Sequence, residues 1–459
     1  MSAAISRYES FISNKTHLAG YYGFDPLFMP EMLFPFQKQL VEWTLKKGRA
    51  ANFADCGLGK TPMQLTTAHN VHLKTGKRVL LATPLAVGSQ TVKEAAKFGI
   101  YAERSKDGKL PDAPIVITNY ERMHLFNSDD FVGMVCDESS ILKNVDGKIK
   151  AHVTEFMRKM PYRFLYTATA APNDFIELGT SSEALGELGY MDMLSKFFKK
   201  NDQTMSRKDE NRSGLYRFRG HAERDFWRWV CSWSRAVRRP SDLGFSNKGF
   251  DLPDLITRQH VVQARTVNPE FLFDMPAVGL AEQRAERSRT CQERCEMAAE
   301  IANGTNDAVV SWCYLNREGN LLTKLIDGAE EVSGNDSDER KEEMFEAFSS
   351  GQLKKLVTKP LIASSGLNWQ HCHRQTFFPS HSFEQWYQSV RRCWRFGQKE
   401  KVTVDVITSE GETNVLANLH RKAEAADRMF ENLVRLMNNE LDIEKREYNN
   451  NKTQLPNWI

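Results

Sequence analysis

Short apolar runs alternate with helical patterns along the first half of the chain. The apolar runs are Ala51 to Ala54, Val79 to Ala82, Ile115 to Thr118, Phe131 to Cys136 and Arg163 to Thr167. Apolar positions at helical spacing lie between several of them, for example from Val87 to Phe98. This alternation predicts a parallel sheet with helices on both faces, whose ligands bind at the carboxyl ends of the strands.

A second alternation of the same kind begins near Leu255. Strands are predicted at residues 308–312, 356–358, 375–378 and 402–406. Helical patterns cover residues 282–302 and an amphipathic terminal segment from Val415 to Met437. A third helical pattern contains Met344 and Phe348. A chain of 459 residues is too long for one ordinary core, so the length predicts two domains or three.

The stretch from Ser181 to about Pro240 breaks the alternation and mixes basic with aromatic side chains. Its members are Arg207, Lys208, Arg212, Arg217, Arg219, Arg224, Arg228, Arg235, Arg238 and Arg239, with Tyr216, Phe218, Phe226, Trp227, Trp229 and Trp233. The mixture favours phosphate contacts combined with base stacking or wedging, or a role between lobes. The alternative is a helix that packs its aromatic face inward and leaves its charged face in solvent.

The composition is that of a globular protein, with a near-neutral net charge of +3. Any nucleic-acid contact must therefore come from local basic patches. No apolar run approaches the roughly 18 residues of a membrane span, and no export signal is evident, so we expect a cytoplasmic protein without a membrane partner. Its sparse cysteines are expected to be reduced, and neither Cys291 with Cys295 nor His371 to His373 has the second ligand pair of a zinc finger.

The segment Ala54 to Thr61 has the pattern of a phosphate-binding loop between a strand and a helix. Gly57 and Gly59 would let backbone N–H groups close around a polyphosphate at the positive end of the helix. Lys60 would reach the β- and γ-phosphates, and Thr61 would ligate Mg²⁺. Ala54 replaces the first glycine of the pattern, and an ordinary strand-to-helix turn is the alternative.

Two adjacent acids, Asp137 and Glu138, follow the run that ends at Cys136. Near a phosphate loop, such an aspartate can hold Mg²⁺ through water, and the glutamate can deprotonate the attacking water. A plain helix N-cap is the alternative, but the upstream loop favours catalysis. The next strand leads into Thr167 and Thr169, whose hydroxyls either bridge the acid pair to the second half of the protein or simply form a turn.

Two further segments carry side chains suited to a nucleotide. Gln37, just upstream of the loop, could hydrogen-bond adenine through its amide, although taken alone a surface glutamine is favoured. Arg392 and Arg395 lie three positions apart, so on a helix they share a face and could enter one cleft. Delivered from a second domain, they would stabilise charge on a transferred phosphoryl group, whereas a basic surface helix is the alternative.

Taken in order, these motifs resemble those of the superfamily-two helicases, most closely the Swi/Snf-like DNA translocases, over residues 33–436. The matching segments are Gln37, Asp55 to Thr61, Ile115 to Tyr120, Asp137 to Asn144, Gly366 to Asn368 and, most specifically, Gln388 to Gln398. Departures from the family pattern are Ala54, Ser139 with Ser140, and Ala170. The resemblance implies that Thr167, Thr169, Asn368 and Gln388 couple hydrolysis to the bound nucleic acid.

The resemblance also implies two RecA-like α/β lobes with an ATP cleft between them. The expected divisions are a lead-in at 1–32, lobe one at 33–240 with a helical insertion at about 181–240, lobe two at 241–444, and a polar tail at 445–459.

The activity that the resemblance implies is hydrolysis of ATP with Mg²⁺ to move along DNA, expected to be duplex. The expected setting is a bacterial or phage-infected cytosol, with a nuclease or a replication or repair protein as candidate partner. A strand-separating DNA or RNA helicase, an ATP-driven switch and a non-hydrolysing scaffold are the alternatives, although intact Lys60, Glu138 and both arginines argue against the scaffold.

Overall fold

The structure is a computed structural model that describes residues 20–171, 174–200, 216–263, 280–363, 366–380, 382–412, 417, 419, 421–424 and 426–437. The predicted tail at 445–459 and residues 1–19 of the predicted lead-in lie outside the described residues. So do Arg207, Lys208 and Arg212 of the basic and aromatic stretch, and Val415 of the predicted terminal helix.

The first lobe is built on a seven-stranded parallel sheet. The strands of this half of the chain are β1 (Arg49–Ala54), β2 (Arg78–Thr83), β3 (Ala102–Arg104), β4 (Ile115–Asn119), β5 (Phe131–Asp137), β6 (Tyr162–Tyr166), β7 (Phe198–Lys200), β8 (Tyr216–Phe218) and β9 (Ser234–Val237). The sheet order is β3-β4-β2-β5-β6-β1-β9, and β7 and β8 form a separate antiparallel pair.

Helices cover both faces of this sheet. They are α1 (Pro35–Lys47), α2 (Lys60–Thr75), α3 (Gly88–Lys97), α4 (Lys148–Arg158), α5 (Leu178–Leu185), α6 (Tyr190–Phe197) and α7 (Ala222–Trp233). In β2, Leu80 and Ala82 enter one core cluster, while Val79 and Leu81 enter the other. A strand that is buried on both faces must be apolar at every position, which explains the continuous apolar runs in the sequence.

The second lobe repeats this design with a six-stranded parallel sheet in the order β10-β15-β14-β11-β13-β12. Its strands are β10 (Leu255–Val262), β11 (Val309–Trp312), β12 (Ala329–Val332), β13 (Lys355–Thr358), β14 (Arg374–Phe377) and β15 (Val402–Ser409). Its helices are α8 (Leu280–Arg289), α9 (Cys291–Asn303), α10 (Asn316–Leu325), α11 (Asp338–Ser349), α12 (Pro360–Ala363) and α13 (Phe383–Cys393).

These two sheets confirm the predicted fold class, two parallel α/β lobes of the RecA-like type. Among the described residues, no helix combines the length and the apolar composition that a membrane span requires. All eight cysteines are buried, and none of them forms a disulfide bond.

The aromatic side chains of α7, within the basic and aromatic stretch, belong to the first lobe's core. Trp227, Trp229 and Trp233 of α7 are at most 2% exposed. The favoured interpretation of these side chains as a stacking platform or wedge is therefore wrong, because the helical spacing turns them inward. The stretch also contributes β9, which pairs with β1 at the edge of the first sheet, so its last part is not an insertion.

The terminal helical segment at residues 426–437 packs on the first lobe. Phe430 and Leu433 belong to the same core cluster as the tryptophans of α7. Arg238 forms an ion pair with Asp427, with 2.9 Å between Nη2 and Oδ1, and its guanidinium lies over the Phe430 ring. The end of the basic and aromatic stretch therefore contacts residues 426–437, which come after the last strand of the second sheet in the sequence.

Candidate functional site

The loop between β1 and α2 is built around two glycines in the left-handed region. Gly57 has a φ of +84° and Gly59 a φ of +75°, and Gly59 caps α2. A Cβ added to Gly57 would lie 2.8 Å from the backbone nitrogen of Phe396, so close approach of the second lobe also requires glycine here. The Asp55 N–H donates to the Val237 carbonyl at 2.9 Å, which fixes the start of the loop to β9.

Lys60 and Thr61 occupy the first turn of α2, where the helix presents its positive end. The Lys60 ammonium donates to the Ala54 carbonyl at 3.1 Å, and both side chains are half-buried. Their charge and hydroxyl face the cleft described below. The local sequence thus places a cation and free backbone N–H groups together, which is the arrangement that binds anions.

The acid pair lies at the carboxyl end of the central strand β5. Asp137 is buried and accepts a hydrogen bond from the Gln64 amide at 2.6 Å. Burial, reinforced by the neighbouring Glu138 carboxylate, raises the pKa of Asp137 to about 6. Its carboxylate is therefore held in a site where a cation would be strongly favoured.

Glu138 is the one non-glycine residue with a positive φ in the described part of the chain, at φ 49° and ψ 54°. A left-handed conformation costs an ordinary residue roughly 1–2 kcal/mol, and such strain is concentrated at functional sites. The Glu138 carboxylate accepts a hydrogen bond from the Thr167 hydroxyl at 3.2 Å.

Two arginines of the second lobe converge on one backbone oxygen. Arg392 Nη1 and Arg395 Nη1 donate to the Leu367 carbonyl at 3.0 and 2.8 Å. Burial and the charge of Arg392 lower the pKa of Arg395 to about 10. Two guanidinium groups share a single neutral acceptor, so an anion at this point would relieve their repulsion.

A single cleft of about 360 Å³ between the lobes collects most of the predicted site residues. Its lining includes Gln37, Gly57, Gly59, Lys60, Thr61, Asp137, Glu138, Asn368, Arg392 and Arg395. Thr167, Thr169 and Gln388 do not line it. They connect the cleft to the second lobe instead.

This connection is a chain of buried hydrogen bonds. The Thr169 N–H donates to the Thr167 hydroxyl at 3.0 Å, and the Gln388 amide donates to the Thr169 hydroxyl at 3.3 Å. Thr169 also donates to Glu384 at 3.4 Å, and Glu384 forms an ion pair with Lys143, which follows the acid pair in sequence. The chain therefore joins Glu138 to α13, the helix that carries Arg392.

A second contact, which the sequence did not indicate, joins α13 to the loop between β1 and α2. Arg391 forms an ion pair with Asp55, and the Tyr387 hydroxyl donates to the same carboxylate. The side chains of the pair are only 8% and 7% exposed. A single sequence carries no signal that would pair residues so far apart, although Tyr387 and Arg391 do lie one helical turn apart.

Three phenylalanines at the mouth of the cleft were also not predicted from the sequence. Phe34 precedes α1, Phe250 precedes β10, and Phe396 follows Arg395 after the end of α13. All three side chains line the cleft. The ring centroid of Phe250 lies 4.9 Å from that of Phe34 and 4.8 Å from that of Phe396. Beside them, the Gln37 amide donates to the Leu58 carbonyl at 2.8 Å and accepts from the Phe34 N–H at 2.9 Å.

Comparison with known proteins gives similarity in fold. No protein-family model matches the chain. A search of curated proteins likewise gives no match. Among solved structures, S. cerevisiae Dbp5 bound to RNA and ADP BeF3 is 11% identical, with a TM-score of 0.55, over 88% of this chain and 98% of that chain. A point variant of Dbp5 bound to the same ligands is 12% identical, with a TM-score of 0.53, over 88% of this chain and 98% of that chain.

The SWI2/SNF2 ATPase core of Sulfolobus solfataricus in complex with dsDNA is 17% identical over 84% of this chain and 90% of that chain, with a TM-score of 0.40. At 11–12% identity, the similarity to Dbp5 concerns the arrangement of the two sheets and their helices. The chain shares with Dbp5 a fold of two α/β lobes.

Proposed function

We propose that this protein is a nucleic-acid-dependent ATPase that translocates along duplex DNA. The observation that carries the proposal is the single cleft in which Lys60 and Thr61 of one lobe face Arg392 and Arg395 of the other, with Glu138 between them. An ATPase whose arginines come from a second domain can be switched by the approach of that domain.

The residues present fit ATP and Mg²⁺. Lys60, the start of α2 and the two arginines supply positive charge for a triphosphate, and the three phenylalanines supply flat apolar faces for the base. The Thr61 hydroxyl and the Asp137 carboxylate are the oxygen ligands that Mg²⁺ prefers. When bound, Mg²⁺ would neutralise charge on the phosphates during transfer.

Glu138 is suited to act as the general base. Its carboxylate would take a proton from the water that attacks the γ-phosphorus, while the bond between that phosphorus and the β–γ bridging oxygen breaks to give ADP and phosphate. Arg392 and Arg395 would stabilise the negative charge that spreads over the transferred group. The hydrogen bond from Thr167 orients the base and links its position to α13.

The choice of duplex DNA rests on the resemblance of the segment Gln388 to Gln398 to that of duplex translocases. Burial of Trp227, Trp229 and Trp233 removes the aromatic wedge that would have favoured strand separation. An RNA helicase is the second candidate, because Dbp5, which shares the fold, is bound to RNA in its solved complex.

A paired displacement assay tests the track. Displacement of a third strand from an intact duplex reports translocation, and release of a labelled strand from a forked duplex reports unwinding. We expect triplex displacement that depends on ATP, without fork unwinding. Fork unwinding without triplex displacement contradicts the translocase assignment, and stimulation by RNA alone selects the RNA helicase.

A further inference from the structure

Helix α11 places a row of carboxylates against the first lobe. Asp338, Glu342 and Glu346 are spaced four residues apart, so they share one face of the helix, and successive members lie about 6 Å apart along its axis. We call these three residues the acidic row. It presents negative charges at a regular spacing, as a nucleic-acid backbone does.

Basic side chains of the first lobe face the acidic row. This basic surface consists of Lys93, Arg104, Lys106 and Arg122. Arg104 ends β3, Lys106 follows it, Arg122 follows β4, and Lys93 lies on the helix that follows β2. Because β3, β4 and β2 are neighbours in the sheet, the four residues collect at one part of its carboxyl edge.

The contacts between the row and the surface are specific. Asp338 pairs with Arg122 at 2.9 Å, Glu342 with Arg104 at 2.5 Å, and Glu346 with Lys93 at 3.0 Å. The Arg104 and Glu342 side chains are only 10% and 26% exposed, whereas the Lys93 and Glu346 pair is mostly in solvent. The Arg104 and Glu342 pair should therefore dominate this contact, since solvent screens the outer pair.

Arg104 is held in place by its own lobe as well. Its guanidinium donates to the Ser89 hydroxyl at 2.9 Å and to the Leu85 carbonyl at 3.3 Å. Arg122 similarly donates to the Lys106 carbonyl at 3.3 Å. The basic surface thus has support independent of α11 and is suited to accept another anion.

A second cleft, of about 450 Å³, runs from the acidic row to the catalytic acid. Asp338 and Glu342 line one part of it, and Glu138 and Gln388 line another. Glu138 also lines the nucleotide cleft, so it lies between the two. A ligand that displaced the acidic row would bind beside the hydrogen-bond chain that holds Glu138.

We propose that the acidic row occupies a phosphate-binding surface for nucleic acid, so that backbone phosphates and α11 compete for Arg104 and Arg122. The inference rests on the proposed function and adds a regulatory contact to it. Without nucleic acid, the ion pairs hold α11 on the first lobe. Phosphates that take over the arginines release α11 and allow the lobes to change their relative position.

The test compares two charge-neutralising variants of α11. Glu342→Gln removes the partner of Arg104, and Glu343→Gln removes the same charge from an exposed position on the same helix that has no ion pair among the described residues. Affinity for labelled duplex DNA and for labelled RNA is measured by fluorescence anisotropy without nucleotide. We expect Glu342→Gln to bind roughly three- to tenfold more tightly than the wild type, and Glu343→Gln to bind like the wild type.

A double variant separates competition from a general change in charge. In an Arg104→Gln background, Glu342→Gln should give much less gain, because Arg104 is absent and only the longer contact of Lys106 with Glu342, at 3.8 Å, is released. A gain that persists undiminished in this background, or an equal gain from Glu343→Gln, overturns the proposal. Asp338→Asn with Arg122→Gln provides an independent pair if a Glu342 variant fails to fold.

These measurements separate failure of the proposed competition from failure of the proposed function. If the wild type binds nucleic acid and Glu342→Gln does not differ from Glu343→Gln, the competition is wrong and the proposed function stands. If neither the wild type nor any variant binds DNA or RNA at low salt, the proposed function itself is contradicted.

Discussion

Replacement of Arg391 by methionine should uncouple the two lobes. Arg391 pairs with Asp55 across the lobe interface, and both side chains are almost fully buried. Removing one partner of a buried ion pair costs about 3–5 kcal/mol, because the other charge remains buried without compensation. Asp55 keeps hydrogen bonds from the Tyr387 hydroxyl and from the Cys56 N–H at 2.6 Å, so we expect the lower end of that range.

A loss of about 3 kcal/mol would make the closed arrangement about 150-fold less favourable. In the proposed mechanism, turnover needs Arg392 and Arg395 in the cleft, so kcat for ATP hydrolysis should fall by up to that factor. The KM for ATP should change less, because Lys60 and the loop belong to the first lobe.

Steady-state ATPase kinetics measure both constants, and two further variants control the interpretation. Arg374→Met removes a half-exposed arginine that pairs with Asp307 inside the second lobe, and should leave kcat unchanged. Asp55→Asn combined with Arg391→Met should recover part of the loss, because no unpaired charge remains. A normal kcat in Arg391→Met would refute the reasoning that this pair holds the lobes together.

Further predictions concern the residues of the cleft. Lys60→Ala should abolish binding of a fluorescent ATP analogue, whereas Glu138→Gln should bind it normally and fail to hydrolyse ATP; normal hydrolysis by Glu138→Gln would contradict its assignment as base. Arg395→Ala should reduce kcat by roughly 10³-fold with little change in ATP affinity, and an equal loss of both would indicate a ground-state phosphate contact. The Asp137 pKa of about 6 lies above its unfolded value, so the carboxylate takes up a proton as the pH falls through 6. Because the proposed binding of Mg²⁺ by Asp137 needs the ionised form, kcat/KM should fall about tenfold per pH unit below 6, and a flat profile between pH 7 and about 5 would contradict this.

The sequence was most informative where the structure is local. The turn between β1 and α2 follows from glycines next to a lysine. Strands β2, β4, β5 and β6 follow from apolar runs that burial on both faces requires. The short edge strands β3 and β12 were missed, because edge strands with charged residues such as Glu330 and Glu331 show no apolar run. The helix predicted over 282–302 is broken at Thr290 into α8 and α9. The break was not predicted, because the charged helical pattern of the sequence continues through it.

Contacts between distant parts of the chain could not be predicted from one sequence. The pairing of Asp55 with Arg391 and the three phenylalanines at the cleft mouth both depend on how the lobes meet. The tryptophans of α7 illustrate a different limit. Their spacing defines a helix face but does not distinguish a face that binds a ligand from one that packs into a core, and here the face is in the core.

The rate of ATP hydrolysis with and without nucleic acid tests the central claim most directly. We expect slow hydrolysis by the wild type alone, strong stimulation by duplex DNA that declines steeply with salt, and no hydrolysis by Glu138→Gln under either condition. Hydrolysis that is equally fast with no nucleic acid, duplex DNA, single-stranded DNA and RNA would contradict it.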